Sequence, residues 1–216
     1  MDEGFEGPLS GRYMMVVRDI SERRQSADEL RRALTCDHLT GVLNRRCFLD
    51  RAEQELRHQA RRGGQGRDAQ SCVAMVDADR FKGINDTHGH AAGDMVLAVI
   101  AEVLRAETRE HDPIGRLGGE EFAVMMPGTT LADAEQAAER LRAGVAALRL
   151  TYGGQAIPVT VSIGVSGNGA ADLKGLMCDA DKALYAAKSG GRNQVRRSVL
   201  TPVPPATPAL PALAPG

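Results

Sequence analysis

The sequence contains no tryptophan, and aromatic residues make up only 3% of its 216 positions. A platform on which successive bases stack needs aromatic rings in number, so binding along a single nucleic-acid strand is excluded as the main function. Charge of one sign is lacking as well: 27 basic and 28 acidic side chains leave a formal net charge of -1. Without a basic excess there is no bulk attraction to nucleic acid or to an anionic membrane. The four cysteines, Cys36, Cys47, Cys72 and Cys178, include no Cys-x-x-Cys pair. That scatter argues against a zinc site or a disulfide frame and for small buried hydrophobes in a reducing compartment. The longest apolar stretch, residues 95–104, includes Glu102 and is too short to span a bilayer; the acidic start Met1-Asp2-Glu3-Gly4 does not read as a signal peptide. The expected address is cytoplasmic, with no membrane segment and no nucleic-acid partner, so any nucleotide chemistry must come from a local site.

Hydrophobic residues at 43% and charged residues at 25% are ordinary for a globular protein, and the length holds one full-sized domain plus appendages. Residues 1–20 carry one strand-like run at 13–17. Ser21 is a good N-cap for a helix over 21–34, with Glu22 in its first turn. Ile20, Ala27 and Leu34 lie seven apart with Leu30 between, a short heptad-like stripe. Periodicity alone leaves open whether this helix works with a neighbour or packs on its own domain. From 37 to 198 strands and helices alternate. Helices are predicted over 44–62, 94–109, 131–148 and 173–188, strands over 71–77 and 157–166, and a hairpin at Gly118-Gly119. Hairpins mixed with helical crossovers predict an α/β (α+β) fold, a mixed and mainly antiparallel central sheet covered by helices. Residues 199–216, almost entirely Pro, Ala and Leu, read as a disordered or extended tail.

The most unusual string is Gly118-Gly119-Glu120-Glu121-Phe122. Two adjacent glycines mark a tight hairpin turn that needs positive φ, and two carboxylates then open a strand that turns apolar. Read alone, it is also compatible with a solvated hairpin. A second acidic cluster, Asp77-Ala78-Asp79, ends the apolar strand 72–76. A rigid strand that ends in Asp-x-Asp is suited to a hard cation, and Asp77 with Glu120 on the neighbouring hairpin would clamp one; standing alone, the pair reads rather as a helix N-cap. Phe81 and Lys82 follow, where backbone N–H groups and a cation can meet phosphate oxygens. Asn85, Asp86, Gly89, His90, Gly93 and Asp94 come next. An Asn and an Asp converging on one pocket suit guanine, whose N1–H and exocyclic amine donate to a carboxylate. Lys188 and Arg192 flank Gly190-Gly191 and suit a triphosphate, or else form an ordinary cationic helix C-terminus with a glycine cap.

These motifs together resemble the GGDEF-domain diguanylate cyclases. The resemblance covers about residues 35–198 and rests on five stretches in order: 37–46 (Asp37-His38-Leu39-Thr40 onward), Asp77 through Asp94, the signature 118–122, Val159 through Val165, and Ala180 through Asn193. It implies a fold akin to class III nucleotide cyclases and polymerase palm domains, and condensation of two GTP into cyclic di-GMP across a homodimer with Mg²⁺ (Mn²⁺ possible). Carried over, Asp77, the Ala78 carbonyl and Glu120 bind the metal with Glu121 close by. Glu120 also helps deprotonate the attacking hydroxyl and Lys82 stabilises phosphate charge. Asn85 and Asp94 read guanine, and Lys188 and Arg192 hold the triphosphate. His90 supports the loop. Arg109 and Asp112 match the family's inhibitory RxxD site for its own product, cyclic di-GMP, with Arg140 as a second arginine or a plain solvated one. Leu117, where an aromatic is usual, and Gly115 are expected to loosen the hairpin slightly. Residues 11–23 resemble the end of a PAS sensor domain, too short to enclose a ligand, and 21–36 the family's signalling helix. Two further readings are a catalytically silent module that binds cyclic di-GMP or GTP, and a cyclase that uses ATP; the retained carboxylates oppose the first and Asp94 the second.

Overall fold

Every position of the strand at Ser71–Ala78 is buried, so its side chains, alternating from face to face, feed two separate cores. The chain was studied as a computed structural model that describes residues 32–61, 70–167 and 172–198. In chain order the strands are β1 (Leu43–Asn44), β2 (Ser71–Ala78), β3 (Ile114–Gly118), β4 (Glu121–Pro127), β5 (Leu150–Tyr152), β6 (Gln155–Ile157), β7 (Val161–Ser166) and β8 (Val195–Arg197). The helices are α1 (Arg45–Arg61), α2 (Phe81–His88), α3 (His90–Glu107), α4 (Leu131–Ala146) and α5 (Leu173–Ser189). Six strands form one sheet in the order β1-β3-β4-β2-β7-β8, and β5 pairs with β6 in a separate hairpin. The three inner pairings are antiparallel and the two outer ones parallel, as the mixed, mainly antiparallel expectation required.

Val73 and Met75 of β2 face one side together with Ala123 and Met125 of β4. They pack against Phe48 and Ala52 of α1 and Leu176, Ala180 and Leu184 of α5. Cys72, Ala74, Val76 and Ala78 face the other side with Phe122, Val124 and Met126, under Phe81 and Ile84 of α2, Val96, Leu97, Ile100 and Leu104 of α3, and Ala138 and Leu141 of α4. Gly164 of β7 lets α5 lie directly on the sheet: a Cβ there would collide with the Ala180 carbonyl and the Leu184 amide. This close approach fixes where the end of α5 arrives.

The structure departs from the sequence reading in several places. The first helix starts at Arg45 because Asn44 caps it, its Oδ1 accepting from the Cys47 amide at 3.0 Å. Residues 81–88, for which no helix was predicted, form α2, and α3 begins at His90 rather than Asp94, with Gly89 at φ 84° separating the two. The strand expected over 157–166 is split into β6 and β7, because Pro158 has no N–H to give a ladder. Gly115 does not loosen the hairpin: it closes on Phe48, whose ring a Cβ would strike, and Leu117 packs against the α1 core. Of the cysteines only Cys72 is fully buried, its thiol pushed up to about 12 by burial; Cys36 and Cys47 are half-buried and Cys178 is exposed. No described helix is long and apolar enough to cross a membrane. The PAS-like end and the Pro/Ala tail lie outside the described residues, as does the helix over 21–34 except for its last turn, which is helical.

Candidate active site

Asp77 is the next residue but one after Met75, so it continues the α1/α5 face of β2 past the end of the core. It stands directly across from Glu121 of β4 and from Ser162 of β7. The turn joining β3 to β4 is made by Gly119 and Glu120, one residue on from the expected Gly118-Gly119, because Gly118 ends β3 paired with Glu121; both glycines lie at positive φ, and a Cβ on either would meet nothing within 4 Å. The glycines therefore serve the backbone conformation and leave open space at the rim. The Ala78 amide donates to the Glu120 carbonyl at 3.3 Å, which ties the hairpin tip to the end of β2.

Lys188 lies one helical turn beyond Leu184, so the stripe that packs α5 on the sheet also delivers this ammonium to the strand end. Its Nζ sits 2.8 Å from Asp77 Oδ2. Burial holds the Asp77 carboxyl above the usual carboxylate range even though Lys188 pulls it down. Burial likewise raises Glu120, and the negative charge of Asp77 raises it further. A pair of carboxylates that disfavours its own second charge has the chemistry to accept a divalent cation, which relieves the same repulsion as a proton. No three His, Cys, Asp or Glu groups converge among the described residues. An ion here would complete its shell from backbone, water and phosphate oxygens, the usual habit of Mg²⁺.

Asp79, grouped with Asp77 in the sequence, has a different office. Its carboxylate accepts from the Ser162 hydroxyl at 2.6 Å, the Thr160 hydroxyl at 2.7 Å and the Asn193 amide at 2.9 Å. With three hydrogen bonds on its two oxygens, Asp79 staples β7 and the 191–193 loop to the end of β2, a structural role that sets it apart from Asp77. That loop is fixed from a second side by Arg142 of α4, which donates to Asn193 Oδ1 at 2.7 Å.

The signature turn is gripped from behind. Arg116 donates through Nε and Nη2 to the Gly119 carbonyl at 2.9 and 2.7 Å. Its Nη1 reaches both oxygens of Asp37 at 3.1 and 3.3 Å. Asp37 also accepts from the amide and hydroxyl of Thr40 at 2.9 and 2.7 Å. Burial alone would raise this carboxyl, but the Thr40 bonds and the Arg116 guanidinium outweigh it and hold Asp37 below the usual range. The role of Arg116 was not read from the sequence. An Asp followed three residues later by Thr signals the local turn, but nothing local announces the guanidinium that joins it to the hairpin.

On the other face, α2 starts at Phe81, and helix geometry leaves its first amides, those of Phe81 and Lys82, without intrahelical acceptors. The Phe81 side chain itself is core, 8% exposed, so any contact of this residue with an anion runs through its backbone. Lys82 is exposed. Asn85 Oδ1 is buried without a hydrogen-bond partner, and it lies against Gly93, where a Cβ would collide with it. Asp94, exposed, follows directly in the chain. His90 is exposed at the start of α3, and the loop bonds run through Gly89 instead, whose carbonyl accepts from Ala92 and Gly93. Arg192 is exposed at φ 65° and lines a cavity of about 420 Å³ with Arg80, Ile84, His88 and Pro158.

A further cavity, of about 200 Å³, gathers Arg109, Asp112 and Arg140, with Met126, Thr129 and Asp133. Asp112 Oδ2 accepts from the Arg109 amide at 3.2 Å, and Arg140 stands 3.8 Å from Glu107. The Arg109 guanidinium reaches Thr129 Oγ1 at a long 3.5 Å. Burial raises the Asp112 carboxyl.

Residues 34–194 match the protein family described as diguanylate cyclase, GGDEF domain. Diguanylate cyclase DgcP of Pseudomonas aeruginosa is 39% identical over 201 residues, 88% of this chain and 29% of that protein. Diguanylate cyclase A of Treponema denticola is 46% identical over 128 residues, 58% of this chain and 34% of its own length. The chain thus spans about a third of the length of these two relatives. The coiled coil and GGDEF domain of DgcB from Caulobacter crescentus, solved in complex with c-di-GMP, superposes with a TM-score of 0.74 at 31% identity, covering 83% of this chain and 94% of that one. By sequence and by fold, this chain belongs to the GGDEF-domain family of diguanylate cyclases.

Proposed function

We propose that the chain is a diguanylate cyclase that condenses two GTP into cyclic di-GMP and two pyrophosphate at a Mg²⁺- or Mn²⁺-dependent site in a homodimer. The observation that carries this reading is the carboxylate pair Asp77 and Glu120 at the end of an antiparallel ladder, beside two glycines that leave open space at the rim. Relatives named as diguanylate cyclases and a neighbour solved with c-di-GMP support it. Residues 37–198 form the cyclase domain, with 1–20 as the end of a PAS domain and 21–36 as a signalling helix, and the activity is placed in the cytoplasm.

Asp77, the Ala78 carbonyl and Glu120 hold the metal, with Glu121 at hand; when bound, the ion neutralises charge on the phosphates. The amides of Phe81 and Lys82, the Lys82 ammonium, Lys188 and Arg192 take the triphosphate oxygens. Asn85 and Asp94 accept from the N1–H and amine edge of guanine; the buried, unpartnered Oδ1 of Asn85 supports this assignment. The 3′-oxygen of one GTP bonds to the α-phosphorus of the other, the bond to pyrophosphate breaks, and the hydroxyl proton passes to Glu120. Burial and the Asp77 charge raise its proton affinity toward that of a useful base. One chain supplies one such centre, and ring closure needs the step twice, so two copies face each other. Cyclic di-GMP binds back at Arg109, Asp112 and Arg140 as an inhibitor.

The test is incubation of the purified chain with GTP and Mg²⁺ across a range of protein concentrations, with cyclic di-GMP and pyrophosphate as the readout. Product formation steeper than first order in protein is expected. A chain that makes no cyclic di-GMP even at high protein concentration, yet binds it, would be a silent receptor.

A further inference from the structure

The Lys188–Asp77 pair differs from the other ion pairs of the described residues. Its carboxylate side chain is 7% exposed, whereas the acid of each other pair is 18% exposed or more. The ammonium is 2.8 Å from Oδ2, a charge-assisted hydrogen bond in a place that water reaches poorly. Resting on the proposed reading, the same carboxylate is the metal's ligand. A Mg²⁺ ion bound to it would sit about 2.1 Å from its oxygen, close enough to the ammonium for strong repulsion where water does not screen it. Ammonium and ion therefore compete for one buried carboxylate.

Lys188 also has somewhere else to go. It occupies the last turn of α5, whose backbone is held by Leu184 in the core and by the contact over Gly164. The helix cannot retreat, but a four-carbon stem that is 32% exposed can swing by rotamer change alone. A triphosphate arriving at the same rim offers it several anionic oxygens in place of one carboxylate.

We infer that Lys188 determines the specificity of the site for the metal–nucleotide complex over free metal: it occupies the metal's place on Asp77 until a triphosphate draws it away. Loading is then concerted. Metal alone must displace a buried ion pair, and nucleotide alone must strip Asp77 of its only ion-pair partner among the described residues, whereas together each supplies what the other removes. The chain would thus keep its centre closed to free divalent cations, and the ammonium that leaves Asp77 becomes a phosphate ligand.

The experiment uses the full chain without nucleotide, Mn²⁺ as the probe, and the spin-resonance signal of free Mn²⁺ as the readout. Lys188→Met is expected to bind Mn²⁺ about tenfold or more tightly than wild type, the scale of one charge-assisted hydrogen bond removed from competition. Lys188→Arg, which keeps the pair, should stay at the weak wild-type level. Adding Asp77→Asn to Lys188→Met should abolish the gain. Should Lys188→Met melt below the assay temperature, Lys188→Gln carries the same expectation. Mn²⁺ binding by the folded variant that is unchanged or weaker overturns the inference. The two readings fail separately: a gain in Mn²⁺ affinity in a chain that makes no cyclic di-GMP sinks the cyclase and leaves the exchange, while an active cyclase without that gain sinks the exchange alone.

Discussion

The two ends of the β2–β4 ladder share the same strands but gather their charged groups differently. From the Asp77–Glu121 pair to the Cys72–Met126 pair is five residues, roughly 17 Å at the rise of an antiparallel strand. At the glycine end, Asp77, Glu120 and Glu121 stand with the ammonium of Lys188, and the Arg192 guanidinium also acts on Asp77, so three carboxylates face two cations. At the far end, Arg109 and Arg140 line a cavity whose acids are already engaged: Glu107 with Arg140, Asp112 with the Arg109 amide, Asp133 with the Thr130 hydroxyl. That end mixes guanidinium groups with carboxylates around one cavity. The strands and their hairpin supply the carboxylates at the glycine end, and α5 brings Lys188 to them; at the far end Arg109 and Asp112 come from the connection between α3 and β3, and α4 adds Arg140.

The sharpest cut should come from Glu120→Ala. We expect kcat to fall by about 10³-fold or more, since one carboxylate serves both metal and proton. Calorimetric affinity for cyclic di-GMP at the far cavity should stay within about twofold, as expected for sites without shared partners. Loss of that binding would mean the ends are not independent. Next in size is Arg116→Ala, which frees the Gly119 carbonyl and leaves Asp37 without its cation. Stability should drop by about 1–3 kcal/mol in urea melts, with kcat falling further than GTP binding because the hairpin that carries Glu120 loosens. An unchanged kcat would show that the turn holds itself.

A smaller effect belongs to Arg109→Ala. The cyclic di-GMP concentration giving half-inhibition should rise about tenfold, the scale of a charge-assisted hydrogen bond; inhibition at the wild-type concentration would remove Arg109 from the product site. The smallest effect is on pH. Asp77 and Glu120 have raised proton affinity, so protons compete with metal, and the Mg²⁺ concentration for half-maximal rate should climb as pH falls from neutral toward the acid range. Asp37 is shifted the other way. Its contribution to stability is present above its ordinary value of 3.8 and is lost as pH falls through the lower folded value. Metal should therefore be lost at a higher pH than the hairpin clamp. Urea melts of Asp37→Asn against wild type, converging only in strong acid, would check the second half of that order.

Much of this was legible in the residues. The five helices were each anticipated except α2, whose eight residues around Gly83 lack a capping side chain and so gave no start signal. The hairpin, the glycines and the RxxD turn were readable because their signals are local. Arg109 and Asp112 are three apart, and the Arg140 cavity needed only that the next helix pack back across the sheet. The hydrogen bonds of Asp79 were hidden for the opposite reason: its partners Ser162 and Asn193 lie 83 and 114 residues away. No spacing rule links them, and an Asp at a strand end looks the same whether its lone pairs are spent or free.

The sequence by itself determined the four longer helices, the central strand β2, the two glycines that require positive φ, and which side chains can carry charge, because those follow from hydrophobic periodicity, backbone sterics and side-chain chemistry. Only the tertiary structure decided which charges meet. Asp77 faces Lys188 because the period of two in β2 and the period of 3.6 in α5 come into phase over Gly164, where the missing Cβ lets helix and sheet touch. That phase relation belongs to the packing of two elements, and neither element encodes it alone.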